Sequence, residues 1–416
     1  MNQKYLEAIK SLGFNEPSLV QQTVFKQFDH EKSAVVISPT GTGKTHAYLI
    51  PLIERIDPSL KEVQILIVVP TNELVNQVAG MLEPIKGEIT VKLFRANDDK
   101  KRLIKSLENE QPQIVIGTPG RLLDLVVKEN ALKTYTTKYL ILDEADMLFD
   151  FDFMSQIDPI VQKLTSKVFV FSATMPKNLL NWVNKYFGYA DLIDLTDEVN
   201  LNIDHYILMA GMDKDYRLLQ LLKVINPFLC IIFVSKNEMV TEVYQMLLEK
   251  GYNVTRVSSK LSMKERKNII NEARTSKYQY IVASDLASRG IDFLGVTHII
   301  NYDLPYQLDF YIHRSGRTGR MGAHGEVYSF YEDKFSRKFA SLEKRGIKFK
   351  KIRISNDGEL VPYQSRKDGL KEEEIQAIKK IKKPTKVKPG YRKKNKEKIE
   401  KALRKVRRKR GEKWFY

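Results

Sequence analysis

Two adjacent carboxylates, Asp143 and Glu144, with Asp146 two residues on, close the apolar run Tyr139-Leu140-Ile141-Leu142. About a hundred residues upstream stands Ser38-Pro39-Thr40-Gly41-Thr42-Gly43-Lys44-Thr45, a glycine-rich loop. Together they read as two halves of one nucleotide-hydrolysing site. One half cradles phosphates; the other holds a metal ion and positions a water. Alone, the acidic pair would read as a solvated strand end. The phosphate loop reverses that preference.

Within the loop the chemistry divides by residue. Gly41 and Gly43 let backbone N–H groups approach phosphate, and the helix N-terminus that follows adds positive potential. Ser38, Thr40 and Thr42 belong to the same cradle, and Ser38 stands where the strict pattern has glycine. Lys44 would neutralise β/γ-phosphate charge, and Thr45 would ligate Mg2+. Asp143 is expected to hold the same Mg2+ largely through water. Glu144 is expected to orient or deprotonate the attacking water.

A third block reads Tyr311-Ile312-His313-Arg314-Ser315-Gly316-Arg317-Thr318-Gly319-Arg320. Three arginines at three-residue spacing, separated by small residues, can project guanidinium groups from one compact turn. Supplied by a facing domain, they would stabilise charge growing on a transferred phosphoryl group. Upstream, Ser284-Asp285-Leu286-Ala287-Ser288-Arg289-Gly290-Ile291-Asp292 follows another apolar run. Loops at strand C-termini are natural ligand sites in open α/β sheets.

These residues need sheets to position them. Apolar stretches at 34–38, 65–69, 114–117, 139–142, 168–171 and 192–195 predict strands, and amphipathic stretches at 45–55, 73–85 and 120–128 predict helices between them. That alternation indicates an α/β domain with a mostly parallel sheet. The pattern restarts with strands at 230–234, 253–257, 280–283, 298–301 and 325–330, and helices at 214–225, 238–250 and 262–273. The expected division is therefore 1–196, a linker at 197–204, a second domain at 205–355 and a tail at 356–416.

At 416 residues the chain suits two domains and an extension. No apolar run reaches the length of a membrane span, and the N-terminus lacks the apolar centre of a signal peptide. One cysteine, Cys230, excludes an intrachain disulfide. A reducing, cytoplasmic location is expected. Residues 371–416 hold 20 lysines and arginines against 6 glutamates, so +14 of the net +18 lies there. Such a run implies a polyanionic partner, and its sparse apolar residues argue against a membrane face. A basic helix is expected at 395–409.

Taken together, these blocks resemble a DEAD-box ATP-dependent RNA helicase of superfamily 2, over roughly residues 12–355. Gly13-Phe14-Asn15-Glu16-Pro17-Ser18-Leu19-Val20-Gln21 resembles the family's Q motif. The resemblance implies two tandem RecA-like domains and a nucleotide that is ATP, bound with help from Phe14, with Gln21 reading the adenine edge. It implies that Lys44, Asp143, Glu144, His313, Arg317 and Arg320 are catalytic, with Arg317 and Arg320 as arginine fingers and His313 touching the first domain's motifs. Asp292 would lie near the ATP ribose. Asp146, Ser172 and Thr174 would couple hydrolysis to strand separation. Pro70, Thr71, Glu73, Thr118, Gly120 and Arg121 of the first domain would face RNA, as would Ser235, Arg266, Ser284, Arg289 and Gly290 of the second.

The chain departs from the family pattern at Asn72 (usually Arg), Ser258-Ser259 (usually His-Gly), Met263 (usually Gln) and Ser284 (usually Thr). It also lacks a Gly-Gly doublet within 92–100. Most departures lie on the expected RNA side. The implied activity is RNA-stimulated ATP hydrolysis coupled to domain closure, RNA bending and local unwinding of short duplexes. RNA binding is expected to be largely sequence-independent, with the tail as a tether. The chain is also similar to bacterial cold-shock helicases, which implies a monomer serving ribosome assembly or RNA decay, with partners there. An ATP-gated RNA clamp and a DNA helicase of the same superfamily remain as alternatives.

Overall fold

The computed structural model describes residues 3–150, 153–176, 178–198, 201–209, 213–258, 261–285, 293, 295–320, 323–355, 357–363, 377, 381 and 391–409. The chain forms two compact units, Met1–Lys350 and Lys351–Tyr416. The first unit carries two sheets, one in each half.

The first sheet has seven strands: β1 (Ala34–Ile37), β2 (Ile65–Val68), β3 (Val91–Phe94), β4 (Ile114–Gly117), β5 (Tyr139–Leu142), β6 (Lys167–Ser172) and β7 (Asp191–Asp194). Their order is β3-β4-β2-β5-β6-β1-β7, and every pairing is parallel. The near-continuous apolar runs follow from burial on both faces. Successive residues go to opposite sides: Val35, Ile37, Leu66 and Val68 enter one apolar cluster, and Ala34, Val36, Ile65 and Ile67 enter another. Strand β3, with its half-exposed Val91, Lys92 and Leu93, lies at the sheet edge. Its four mixed residues carry no period long enough to read, and it was absent from the expected strands.

The helices α1 (Gln3–Ser11), α2 (Leu19–Gln27), α3 (Lys44–Ile53) and α4 (Asn72–Leu82) precede β3 in the chain. The predicted helix at 120–128 is two pieces, an α-helical turn Pro119–Leu123 and a π-helical turn Asp124–Lys128. Such π-turns recur at functional sites.

The second half continues with β8 (Ile203–Leu208), β9 (Cys230–Val234), β10 (Val254–Val257), β11 (Tyr280–Ser284), β12 (His298–Asn301) and β13 (Gly325–Phe330). These strands lie in the order β10-β11-β9-β12-β13-β8, again all parallel. Strand β8 corrects the expected linker, because Ile203 and Asp204 already pair with Gly325 and Glu326. In the second unit, β14 (Phe349–Ile354, which begins just before the boundary) and β15 (Leu360–Pro362) form an antiparallel hairpin. A helix spans Tyr391–Lys409, starting four residues before the expected one. Most of 356–390 lies outside the described residues. Among the described residues, no helix is long and apolar enough to cross a membrane.

Candidate active site and RNA-facing surface

The phosphate loop joins the C-terminal end of β1 to α3. Gly41 and Gly43 have φ of 83° and 93°, the left-handed region that favours glycine. Lys44 Nζ donates to Ser38 O at 2.8 Å and Pro39 O at 2.9 Å, which folds the loop around the ammonium. The hydroxyls of Ser38 and Thr42 meet at 2.8 Å. That bond gives Ser38, where glycine was expected, a structural use. Burial pulls the Lys44 ammonium below its ordinary value, opposed by Glu144, Asp143 and Asp146.

Asp143 and Glu144 follow β5, at the same C-terminal end of the strands as the loop. Glu144 adopts φ 51°, costly for a non-glycine residue, and its N–H donates to Asp143 Oδ1 at 2.9 Å. Burial, reinforced by Glu144, pushes Asp143 up to about 6, against the Tyr48 hydroxyl and Lys44. Tyr48, fully buried, donates to Asp143 Oδ2 at 2.8 Å. Tyr48 is not among the expected site residues. The signal was its place four residues after Lys44, one turn on along the same helix face.

Asp146 is a hub between β6 and the second half. Its Oδ2 accepts from Ala173 N, Thr174 N and Thr174 Oγ1 at 3.1–3.2 Å, and its own N–H donates to Ser172 Oγ at 3.1 Å. From the other half, His313 Nε2 lies 3.2 Å from the same Oδ2, and Nδ1 lies 3.9 Å from Glu144 Oε2. Burial raises Asp146, yet the His313 imidazole and Lys44 hold its carboxyl well below the usual range. Glu144, Asp146 and His313 bring ligand atoms within 4.8 Å of one another. A protonated His313 is itself a cation between those two carboxylates.

The three arginines do not act alike, which corrects the expectation of one presented set. Arg314 turns inward at 2% exposure, bidentate to Asp285 at 2.5 and 2.8 Å, and bonds Asn301 Oδ1 and Asp303 O. Arg317 and Arg320 instead line a cavity of about 400 Å³, together with Phe14, Gln21, Thr40 to Thr45, Asp143 and Glu144. Gln21 is buried, and its side-chain Oε1 accepts from Ser18 N at 2.8 Å in a capping box at the start of α2. Ser18 Oγ donates on to Thr42 O at 2.9 Å, tying that helix to the phosphate loop. Phe14 meets His46 edge-on at 5.7 Å. Asp292, Arg289 and Gly290 lie outside the described residues.

On another face, Pro70, Thr71, Glu73, Thr118, Gly120 and Arg121 line one cleft of about 640 Å³ with Asn72 and Lys128. Arg121 is spent on the backbone, donating to the carbonyls of Arg95, Ala96 and Asp98 at 2.6–3.1 Å. Asn72 Oδ1 accepts from Ala96 N at 2.8 Å, so both brace the 95–98 loop. Arg266 reaches across from the second half and pairs with Glu73. Those two expected RNA contacts therefore also hold each other. Ser235 and Ser284 close β9 and β11; Ser284 Oγ donates to Asn237 Oδ1 at 2.7 Å, and Ser235 Oγ to Leu304 O at 3.4 Å.

Comparison with known proteins agrees with this arrangement. Residues 18–182 match the DEAD/DEAH box helicase family, and residues 213–322 match the helicase conserved C-terminal domain. The chain is 37% identical to the DEAD-box ATP-dependent RNA helicase CshB of Bacillus subtilis, over 98% of this chain and 96% of that protein. Its structure is similar to S. cerevisiae Dbp5 bound to RNA and ADP BeF3, with a TM-score of 0.74, 27% identity, and coverage of 85% and 94% of the two chains. A DEAD box protein from Methanococcus jannaschii superposes with a TM-score of 0.55 at 31% identity, covering 84% of this chain and 97% of that one.

Proposed function

This chain belongs to the DEAD-box family of ATP-dependent RNA helicases, and we propose that it hydrolyses ATP in the cavity between its two RecA-like halves when RNA holds those halves together. One observation carries the reading: Lys44, Asp143 and Glu144 of one half share a single cavity with Arg317 and Arg320 of the other. Neither half alone has the full set of charges.

The residues fit ATP and Mg2+. The buried Thr40 hydroxyl, in the phosphate loop, has no hydrogen-bond partner of its own, and Asp143 and Glu144 crowd two carboxylates at a buried point beside Thr45. Asp143 and Thr45 would hold the metal, which supplies charge neutralisation at the phosphates when bound. Lys44 and the Gly41–Gly43 backbone grip the phosphates, and Phe14 and Gln21 take the base. Glu144 accepts the proton as water attacks the terminal phosphoryl group, and ADP leaves. Arg317 and Arg320 stabilise the charge on that group. His313 senses both Glu144 and Asp146, and through Asp146 the Ser172–Thr174 turn, so the second half registers the state of the first.

RNA lies over the Pro70–Thr71, Glu73 and Thr118–Arg121 cleft, the strand ends at Ser235 and Ser284, and Arg266 on the helix Met263–Arg274. Backbone contacts there make binding largely sequence-independent. Closure bends one strand and opens a short duplex, and hydrolysis reopens the cleft. The basic 371–416 segment tethers the enzyme to structured RNA. Steady-state ATP hydrolysis by the full chain, with and without single-stranded RNA, tests the reading. RNA should raise the rate severalfold or more, and a rate indifferent to RNA would refute it.

A further inference from the structure

We infer that Tyr306 is a stacking platform for an RNA base, beside the strand ends that face the backbone. The inference rests on the RNA reading above and extends it to a residue outside the motifs. Tyr306 is 90% exposed, the most exposed large apolar side chain among the described residues. Isolated exposed aromatics are common, but this one is held in place. Pro305 fixes the preceding φ, and Lys338 Nζ donates to Pro305 O at 2.6 Å and Tyr306 O at 3.1 Å. The same ammonium sits 5.5 Å from the Tyr306 ring and 5.4 Å from the Phe335 ring. The backbone is thus clamped while the ring stays open to solvent, so little ordering entropy remains to be lost on stacking.

The surroundings favour nucleic acid over a protein partner. Arg337 and the Glu332-paired Lys334, on the same segment as Lys338, are exposed, as is Lys236 beside Ser235. Glu332 is neutralised by Lys214 and Lys334, and the exposed carboxylates on these segments are Asp333 and Glu238. The position is continuous with the proposed RNA surface. Ser235 Oγ donates to Leu304 O, and two residues of chain place Tyr306 Cα within about 7 Å of Leu304 Cα. Base–aromatic stacking tolerates any sequence, because every base has a π-face. That matches an enzyme reading backbone elsewhere.

The test is equilibrium binding of a labelled single-stranded uridine 12-mer to the full chain with a non-hydrolysable ATP analogue. Tyr306→Ala should weaken binding about tenfold, and Tyr306→Phe should bind like the wild type. A set of 12-mers, each with one abasic site, should weaken the wild type at one position and leave Tyr306→Ala indifferent there. Unchanged affinity in Tyr306→Ala, or abasic losses that add fully to the mutation, would overturn the site. Wild-type protein that fails to bind the intact 12-mer would sink the RNA reading itself, and this site with it.

Discussion

Gly316 of the second half and Thr40 of the first approach so closely that a methyl group on Gly316 would lie 1.4 Å from the Thr40 hydroxyl oxygen. Gly316 thus lets the turn reach the phosphate loop, and Arg317 beside it rides in with it. Gly41 shows the same constraint from the other side, since a Cβ there would meet Arg320 Cγ at 2.9 Å.

Gly316→Ala should therefore keep both halves folded and prevent their meeting. RNA-stimulated ATP hydrolysis is expected to fall about a hundredfold, the usual result of ångström-scale misplacement. Thermal unfolding should change little. Steady-state rates and a melting curve on the same preparation check both halves of the expectation.

Glu144→Gln keeps the shape and removes the proposed proton acceptor. Turnover should fall by about two to four orders of magnitude, while ATP and RNA still bind. Undiminished ATPase in this variant would remove Glu144 from its role.

Arg314 and Arg317 should separate stability from chemistry. Arg314→Ala takes the bidentate partner from the partly buried Asp285 carboxylate and should cost about 3 kcal/mol of folding free energy. Arg317→Ala should leave urea unfolding near that of the wild type and abolish stimulated hydrolysis. The reverse pattern would mean that the two assignments are exchanged.

His205 makes stability depend on pH. Burial lowers its pKa to about 4, against the pull of Asp204, and Nδ1 meets Tyr311 Oη at 2.9 Å. The unfolded chain takes up this proton near pH 6.5, and the folded chain does not. Stability from this group is therefore complete above 6.5 and lost as pH falls toward 4. Between pH 7 and 5 the loss should be roughly 2 kcal/mol. In His205→Asn the slope of unfolding free energy over that interval should drop by about one proton, measured by urea titrations at several pH values.

Much of the candidate site is legible in the sequence. Ser38 to Thr45, Asp143 to Asp146 and Arg317 to Arg320 are contiguous blocks whose residue types declare their chemistry, and buried parallel strands announce themselves as unbroken apolar runs. Short mixed strands were not legible. Strand β3 is half-exposed, and β8 starts inside a polar stretch and carries Asp204 and His205. Tyr48 hid inside a helix pattern, because nothing in a helical period distinguishes a core tyrosine from one that holds a carboxylate.

What the sequence determined by itself was the α/β class, the two-sheet division, the basic segment and the blocks of candidate site residues, all encoded in local spacing and composition. What only tertiary structure decided was which groups face each other: Arg314 inward to Asp285 but Arg317 outward to the cavity, Arg266 onto Glu73, Arg121 onto three carbonyls, His313 between Glu144 and Asp146. These partners stand up to about two hundred residues apart. Pairing at that range depends on how the sheets stack and where the chain crosses, and neither property is carried by any local pattern.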